Sequence, residues 1–279
     1  SLTGYLGVRE DWWQAEGGHV SVPGIGGYTL NYDGRDDAAL SPKAALVAKP
    51  LAATTLRVSA GKAFRAPTTY DLYRTWTSNS GITYVSNPNL TPETVTSWDA
   101  GIEQGLWKGM SIRATYFDNQ MDDLIYTKTV SATRQEKINA GKASSCGLEL
   151  EAEQRFDFGL RLFANATFTS SEVEENAASP SSVGKELTQT PSQMYTVGAT
   201  LEQGPMTASL IGRHLSKRFG NDTNTDVVDG VYTSYDPCTL VDAKIAYKID
   251  QHIEISFAVD NLFNDEYFAY YQGAPFLPN

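Results

Sequence analysis

The side chains of this sequence best suited to recognising a ligand are aromatic, and several of them share one short segment with an arginine. Between residues 68 and 86 the sequence holds Tyr70, Tyr73, Arg74, Trp76 and Tyr84. Aromatic rings can stack on a planar group, and a guanidinium can pair with an anionic one. The segment is therefore a candidate ligand-binding region, with packing among loop residues as the alternative for each ring.

A second aromatic group lies near the end of the sequence. It consists of Tyr267, Tyr270 and Tyr271. The same two interpretations, ligand contact or loop packing, apply to it.

The histidines and cysteines show no spacing that suits catalysis or metal binding. His19, His214 and His252 lie far apart in the sequence. Cys146 and Cys238 are too few for a disulfide scaffold and lack the spacing of metal ligands. The sequence therefore predicts no catalytic residue, no metal site and no resident cofactor.

Length and charge limit the classes of function. The chain has 279 residues and a formal net charge of −11. This length suits one large all-β domain or two ordinary ones. The acidic balance, without a cluster of lysine and arginine, argues against a nucleic-acid partner. No segment approaches the roughly 18–20 apolar residues that a transmembrane helix needs.

Alternation of apolar and polar residues predicts eleven β-strands and little helix. In one of them Ile253, Ile255 and Phe257 alternate with Glu254 and Ser256. A period of two is typical of a strand with two different faces. The predicted strands cover residues 2–13, 42–50, 54–64, 94–107, 110–120, 144–156, 159–171, 191–203, 206–217, 238–249 and 252–262.

The connections between these strands alternate between short and long. Tight turns are predicted at 50–54, 107–109, 156–158, 203–205 and 249–251, and long polar loops at 14–41, 65–93, 121–143, 172–190 and 218–237. A meander with every tight turn at one rim has this pattern, as do barrels of the bacterial outer membrane. A Greek-key sandwich would mix its connection lengths at both ends. We therefore predict an all-β, antiparallel, up-and-down transmembrane barrel, with a soluble all-β module as the alternative.

Hairpin geometry predicts three pairs of opposite charge on the polar face, which would line the lumen. The pairs are Glu103 with Arg113, Glu153 with Arg161, and Lys248 with Glu254. Such cross-strand pairs help to fix the register. The apolar residues Leu148, Leu150, Ile253, Ile255 and Phe257 should then face outward.

The same strand order separates the two cysteines. Cys146 and Cys238 begin strands that are four places apart in the predicted order, which corresponds to about 19 Å around the wall. A disulfide needs Cα atoms within about 7 Å. We therefore expect no bond between them.

Three motifs resemble the carboxy-terminal half of TonB-dependent outer-membrane receptors. They are GKAFRAPTTYDLY at 61–73, NPNLTPETVTSWDAGIE at 87–103 and VDNLFNDEYF at 259–268. Each also has an architectural interpretation. Arg65-Ala66-Pro67 ends a strand, Asn87-Pro88-Asn89 has turn chemistry, and Asp260-Asn261 leads into an Asx-type turn.

The resemblance implies a 22-stranded barrel closed by a plug domain, with residues 1–279 as a carboxy-terminal part that lacks the plug and the final strand. It implies a multi-pass protein of the outer membrane of a Gram-negative bacterium. The implied partners are outer-membrane lipid, TonB acting through the plug, and a small-molecule metal chelate. The implied function is ligand binding outside the cell and import with energy from TonB.

The resemblance leaves the ligand open. A ferric siderophore is the cargo it implies most often, and cobalamin, haem, another metal chelate or an oligosaccharide are alternatives. Residues 68–86 contain no histidine, which argues against haem. The aromatic residues could equally form the interfacial girdle of any membrane barrel. A passive porin would lack the three motifs. An outer-membrane hydrolase needs a histidine beside a serine or aspartate at one depth of the wall, but His214 is predicted near the long loops and His252 near the tight turns, so they cannot share a site.

Overall fold

The protein is almost entirely β-structure in a computed structural model that describes residues 1–15, 19–22, 28–225 and 236–267. The strands are β1 Leu2–Ala15, β2 His19–Val22, β3 Tyr28–Asn31, β4 Arg35–Leu51, β5 Thr54–Arg65, β6 Trp76–Thr77, β7 Thr83–Val85, β8 Glu93–Trp107, β9 Met110–Ser131, β10 Arg134–Arg155, β11 Leu160–Asn176, β12 Gln193–Gln203, β13 Met206–Leu215, β14 Cys238–Lys248 and β15 Glu254–Val259. A helix, α1, covers Thr69–Tyr73, and a 3-10 turn covers Pro180–Ser182.

Eleven strands form a single meander, as the sequence predicts. Their order in the sheet is β1-β4-β5-β8-β9-β10-β11-β12-β13-β14-β15, and every neighbouring pair is antiparallel. Strands β2 and β3 form a separate hairpin, while β7 pairs with β10 and β6 pairs with β7. Among the described residues, no helix has the length and apolar content needed to cross a bilayer.

The tight turns lie together at one rim of the sheet. Hydrogen bonds join each turn to the end of a neighbouring strand: Arg155 N to Gly109 O at 2.8 Å, Glu202 N to Gly159 O at 3.0 Å, and Lys248 N to Pro205 O at 2.9 Å. Lys108 Nζ also lies 2.5 Å from Asp157 Oδ2 and so bridges two adjacent turns. The prediction that these turns share one rim is confirmed.

The apolar face of the sheet is exposed. Leu150 keeps 38% of its accessible surface, Ile255 keeps 63% and Phe257 keeps 67%. A soluble sandwich would bury these side chains, because its core forms between two sheets. The few buried apolar side chains in the described part of the chain are Leu72, Leu90, Ala143, Val173, Cys238 and Ala246. The sheet thus leaves an apolar surface uncovered along its strands.

One predicted long loop is wrong. Residues 121–143 continue the β9–β10 hairpin as far as Ser131 and Arg134, so only two residues form its turn. Register shifts between Asn139 and Gly141, and again between Gly141 and Ala143, break the alternation of faces in this region. Such bulges hide a strand from a search for period two. We call residues 121–143 the hairpin extension.

Candidate functional site

The loop between β5 and β8 folds onto the hairpin extension. Its helix α1 begins with a capping box, in which Asp71 N donates to Thr68 Oγ1 at 3.2 Å and Thr68 N donates to Asp71 Oδ2 at 3.1 Å. Strand β7 then pairs in parallel with β10, with Thr83 opposite Arg134. The loop is therefore held along a strand at the rim opposite the tight turns.

A cavity of about 240 Å³ opens between this loop and the hairpin extension. It is lined by Tyr70, Arg74, Trp76, Tyr84, Val85, Ser86, Thr127, Gln135, Glu136 and Lys137. Four of the five candidate residues between 68 and 86 thus meet at one place. We call this cavity the aromatic pocket.

Ring contacts organise the aromatic pocket. The rings of Trp76 and Tyr84 stack with centroids 4.5 Å apart and an interplanar angle of 8°. The guanidinium carbon of Arg74 lies 5.0 Å from the centroid of the Tyr70 ring, within the range of a cation–π contact. The pocket therefore presents aromatic faces and one guanidinium.

Tyr73 does not join the aromatic pocket. Its ring packs against Tyr32 with centroids 5.1 Å apart. Tyr32 also donates a hydrogen bond from its hydroxyl to Tyr73 O at 3.4 Å. In the structure Tyr73 therefore connects the loop to the residues that precede β4.

The charged side chains that line the aromatic pocket differ in their partners. Lys137 Nζ lies 3.8 Å from Asp71 Oδ1, and Arg134 Nη2 lies 3.8 Å from Glu136 Oε2. Within the part of the chain that the structure describes, Arg74 has no carboxylate within ion-pair distance.

The first two motifs of the sequence meet at Glu93, which is 8% exposed. Glu93 lies opposite Arg65 in the register, and the two side chains form an ion pair. The second carboxylate oxygen accepts a hydrogen bond from Ile125 N at 2.7 Å. Glu93 thereby joins β5, β8 and the hairpin extension. This role supports the architectural interpretation of the two motifs.

Asparagine side chains fasten the NPNL segment. Asn87 donates from Nδ2 to Lys137 O at 2.9 Å and accepts from Asn89 N at 3.0 Å, which makes an Asx turn. Asn139 accepts from Thr91 N at 2.8 Å and donates to Thr91 O at 2.9 Å. Sequence reasoning missed Asn139, because Thr91 is 48 residues away in the sequence and no local pattern marks the contact.

Two further contacts hold the same segment. Arg35 donates to Pro88 O at 2.7 Å and to Leu90 O at 2.8 Å, and the Leu90 side chain is fully buried.

On the hairpin extension, burial raises the pKa of Tyr126 above its usual value, and the carboxylates of Asp222 and Glu93 add to the effect. The raised pKa means that this site favours the neutral phenol of Tyr126.

The third motif ends its strand in a turn, but the bonds differ from those of the predicted Asx-type turn. Asn261 accepts a hydrogen bond from Asp265 N at 2.9 Å and donates to Asp265 O at 2.9 Å, four residues on, and Asn264 N donates to Asn261 O at 2.9 Å. An Asx turn would instead close onto the N–H two residues on. Tyr267, at 41% exposure, does not line the aromatic pocket. Tyr270 and Tyr271 lie outside the described residues.

The predicted pair of Glu103 and Arg113 is present on the polar face. The two residues lie opposite each other, and Arg113 donates to Glu103 Oε2 at 2.8 Å. Arg113 also donates to Glu151 Oε2 at 3.0 Å. One guanidinium therefore links carboxylates on both neighbouring strands. Lys248 lies opposite Glu254, as predicted.

The predicted register at the β10–β11 turn is wrong. Phe156 N donates to Leu160 O at 2.8 Å, so the turn encloses residues 157–159 and is centred one residue later than expected. Arg161 consequently lies opposite Arg155, and Glu153 lies opposite Phe163. The contact itself is nevertheless made diagonally, because Arg161 Nε lies 2.6 Å from Glu153 Oε2. Arg155 Nε also lies 2.6 Å from Glu153 Oε1.

The histidines and cysteines lie apart from the aromatic pocket. His214 Nδ1 lies 2.8 Å from Thr239 Oγ1, and His252 lies near Asp250 at a tight turn. His19 belongs to β2, and its side chain lies outside what the structure describes. Cys146 and Cys238 are free thiols on β10 and β14. Within the described ranges, no group of histidine, cysteine and acidic residues is arranged to hold a metal ion.

The chain is similar to known proteins along most of its length. The family described as "TonB dependent receptor-like, beta-barrel" matches residues 1–262. The vitamin B12 transporter BtuB of Vibrio cholerae serotype O1 is 26% identical over 212 residues, which cover 76% of this chain and 31% of that protein. BtuB of Vibrio vulnificus is 27% identical over 214 residues, which cover 75% of this chain and 30% of that protein. The chain thus spans about a third of the length of these relatives.

Solved structures share the fold at lower sequence identity. The copper transporter OprC superposes with a TM-score of 0.70 at 20% identity, over 96% of this chain and 40% of that one. The unliganded ferric citrate transporter FecA superposes with a TM-score of 0.69 at 17% identity, over 96% of this chain and 39% of that one. The eleven-stranded meander is therefore part of a barrel of this type.

Proposed function

Because the chain belongs to the TonB-dependent receptor-like β-barrel family, we propose that it is the carboxy-terminal part of an outer-membrane receptor that captures a scarce metal chelate and imports it with energy from TonB. A ferric siderophore is the proposed cargo. Family members are receptors and transporters of the outer membrane of Gram-negative bacteria. The plug domain through which TonB acts would belong to the part of the protein outside this chain.

The observation that carries this proposal is the position of the aromatic pocket relative to the turns. The tight turns share one rim, and the pocket lies at the opposite rim, between the loop after Arg65 and the hairpin extension. In outer-membrane barrels the short turns face the periplasm and the longer loops face outward. The aromatic pocket would therefore face the medium from which a ligand is captured.

The outer surface of the sheet supports insertion in a membrane. Trp98 and Trp107 are 44% and 64% exposed and lie nine residues apart in β8, where a register shift between Gly105 and Trp107 places Trp107 opposite Met110. A transmembrane β-strand needs about 9–11 residues at a tilt of about 45°. The two indoles are thus spaced as the aromatic girdles of a barrel are, at the two interfaces of an apolar band.

Uptake by the full-length receptor tests the proposal. The gene would be expressed in a Gram-negative strain in which TonB can be deleted, and uptake of radiolabelled iron chelates would be measured with and without TonB. We expect saturable uptake that is lost on deletion of TonB. Equal, unsaturable uptake in both strains would instead show a passive channel and would refute the receptor function.

Cobalamin is the second candidate cargo. The observation in its favour is that the curated relatives at 26–27% identity are named vitamin B12 transporters. Radiolabelled cyanocobalamin therefore belongs in the same uptake experiment. Uptake of cobalamin that depends on TonB, without uptake of any iron chelate, would favour this cargo over the siderophore.

A further inference from the structure

The aromatic pocket carries an inference about the charge of the ligand, which rests on the proposed receptor function. We propose that the pocket is a subsite for one planar, anionic arm of the ligand, and that Arg74 is its charge contact. A neutral macrocycle such as cobalamin would gain little from this site. The inference therefore separates the two candidate classes of cargo.

The first argument is the charge of the pocket lining. Lys137 is offset by Asp71 and Glu136 by Arg134, each at 3.8 Å. Arg74 is exposed, and none of the carboxylates in the described ranges lies within ion-pair distance of it. The pocket thus has one uncompensated positive charge, in a chain whose net charge is −11. An anionic group bound there would form a charge-assisted hydrogen bond with the guanidinium.

The second argument is the closed aromatic stack. The Trp76 and Tyr84 centroids are 4.5 Å apart with nearly parallel rings, so no further ring fits between them. A ligand can therefore stack only against an outer face of this pair, and a planar group has the most contact there. The pocket favours a flat arm rather than a flexible chain.

The third argument is size. A site that encloses a drug-sized ligand usually has a volume of roughly 300–1,000 Å³. The aromatic pocket, at about 240 Å³, is smaller than this. It accommodates one arm of a chelate, and the rest of the ligand would remain outside it.

The backbone around Arg74 is well fixed. Arg74 follows α1, and its N–H donates to Tyr70 O at 3.2 Å. Strand β7, which supplies Tyr84, is paired to β10. The Arg74 side chain is exposed and packs on the Tyr70 ring, so it can turn to an incoming anion while its Cα stays in place.

Equilibrium binding to the full-length receptor in detergent tests the subsite. The probes are two anionic chelates, iron(III) tris-catecholamide and iron(III) citrate, and two neutral ligands, an iron(III) tris-hydroxamate and cyanocobalamin. The variants are Arg74→Gln, Arg74→Lys and the control Lys128→Gln. Lys128 is an exposed cation of the hairpin extension that does not line the pocket, so this control removes the same charge from the same rim.

We expect the wild type to bind an anionic chelate more tightly than the neutral ligands. Arg74→Gln should weaken that binding about tenfold to a hundredfold, the range for loss of a charged hydrogen bond. Arg74→Lys should recover part of the loss, because it keeps the charge but not the planar fork. Lys128→Gln should leave affinity within about twofold, because the Lys128 side chain is exposed, does not line the pocket and is screened by salt.

Several results would overturn the subsite. One is an Arg74→Gln variant that binds the anionic chelate as well as the wild type does. Another is preferential binding of cyanocobalamin by the wild type, with an affinity that Arg74→Gln leaves unchanged. If uptake still depended on TonB, that result would refute the subsite but not the receptor function. Failure of the wild type to bind or import any probe would refute the receptor proposal and the subsite together. The shift of the folded band on unheated gels checks that each variant is folded.

Discussion

Arg65, the last residue of β5, and Glu93, the first residue of β8, form an ion pair that closes the base of the loop between these strands. Twenty-seven residues, 66–92, lie between the two partners. Because Glu93 also accepts the Ile125 N–H at 2.7 Å, the same carboxylate orients the hairpin extension. The two walls of the aromatic pocket thus share one anchoring side chain.

Replacing Glu93 by glutamine should destabilise the loop rim. The substitution removes the charge that pairs with Arg65 and weakens the bond to Ile125 N. Since Arg65 is well exposed, the hydrogen bond at the buried carboxylate should dominate, and we expect a loss of about 1–3 kcal/mol. Urea unfolding of the full-length protein in bilayers measures it. Glu149→Gln, at an exposed glutamate of β10, is the control and should change stability by less than about 0.5 kcal/mol.

Substitutions at neighbouring positions of β10 should distinguish the two faces of the sheet. Leu150→Arg places a charge on the exposed apolar face and should cost about 2–4 kcal/mol if the site lies near the membrane midplane. Glu151→Gln on the polar face should cost much less, because it removes one of the two partly exposed ion pairs of Arg113. Folding into lipid vesicles measures both changes. Equal costs at the two positions would contradict an outward-facing Leu150.

Two turn glycines offer a matched test of the turn rim. Gly159 has φ of +93°, and a Cβ built on it would lie 1.9 Å from Glu202 O. Gly204 has φ of +57°, with open space around the same position. Gly204→Ala should therefore reduce the free energy of unfolding by only about 1 kcal/mol, the cost of holding an alanine in the left-handed conformation. Gly159→Ala should cost clearly more, because the hydrogen bond between Glu202 N and Gly159 O must also be distorted.

Asn87 should control the order of the loop that carries the aromatic pocket. Asn87→Ala removes the bonds to Lys137 O and Asn89 N, so local opening should become more frequent. We expect faster cleavage within residues 66–92 when intact cells are treated with protease. The control is Asn79→Ala, at an exposed position of the same loop. Identical cleavage rates for the two variants would show that Asn87 does not fasten the loop.

Period-two alternation was sufficient to find the meander, because residues such as Ile253, Ile255 and Phe257 keep one phase throughout their strand. The hairpin extension was missed where bulges at residues 139–143 reset that phase. The register at the β10–β11 turn was wrong because the turn, with Gly159 in the left-handed conformation, lies one residue later than composition suggests.

The candidate site, like the fold, could be predicted from the sequence only in part. Tyr70, Arg74, Trp76 and Tyr84 were accessible to sequence reasoning because their types and proximity suggest recognition. The contacts that hold the loop in place were not accessible in this way, since they join residues about fifty positions apart, such as Asn139 and Thr91. Tyr73 has the same residue type and lies in the same segment, yet it packs on Tyr32 instead. Only the fold decides between these outcomes.

The ion pairs of the polar face have a consequence for anything that occupies the barrel. Arg113 is shared by Glu103 and Glu151, and Glu153 is shared by Arg155 and Arg161. These six charges neutralise one another within the wall itself. In the proposed receptor, a domain that fills the lumen could move or leave without leaving these six charges unpaired. These six side chains would then attract the occupying domain only weakly, and they would oppose its movement little.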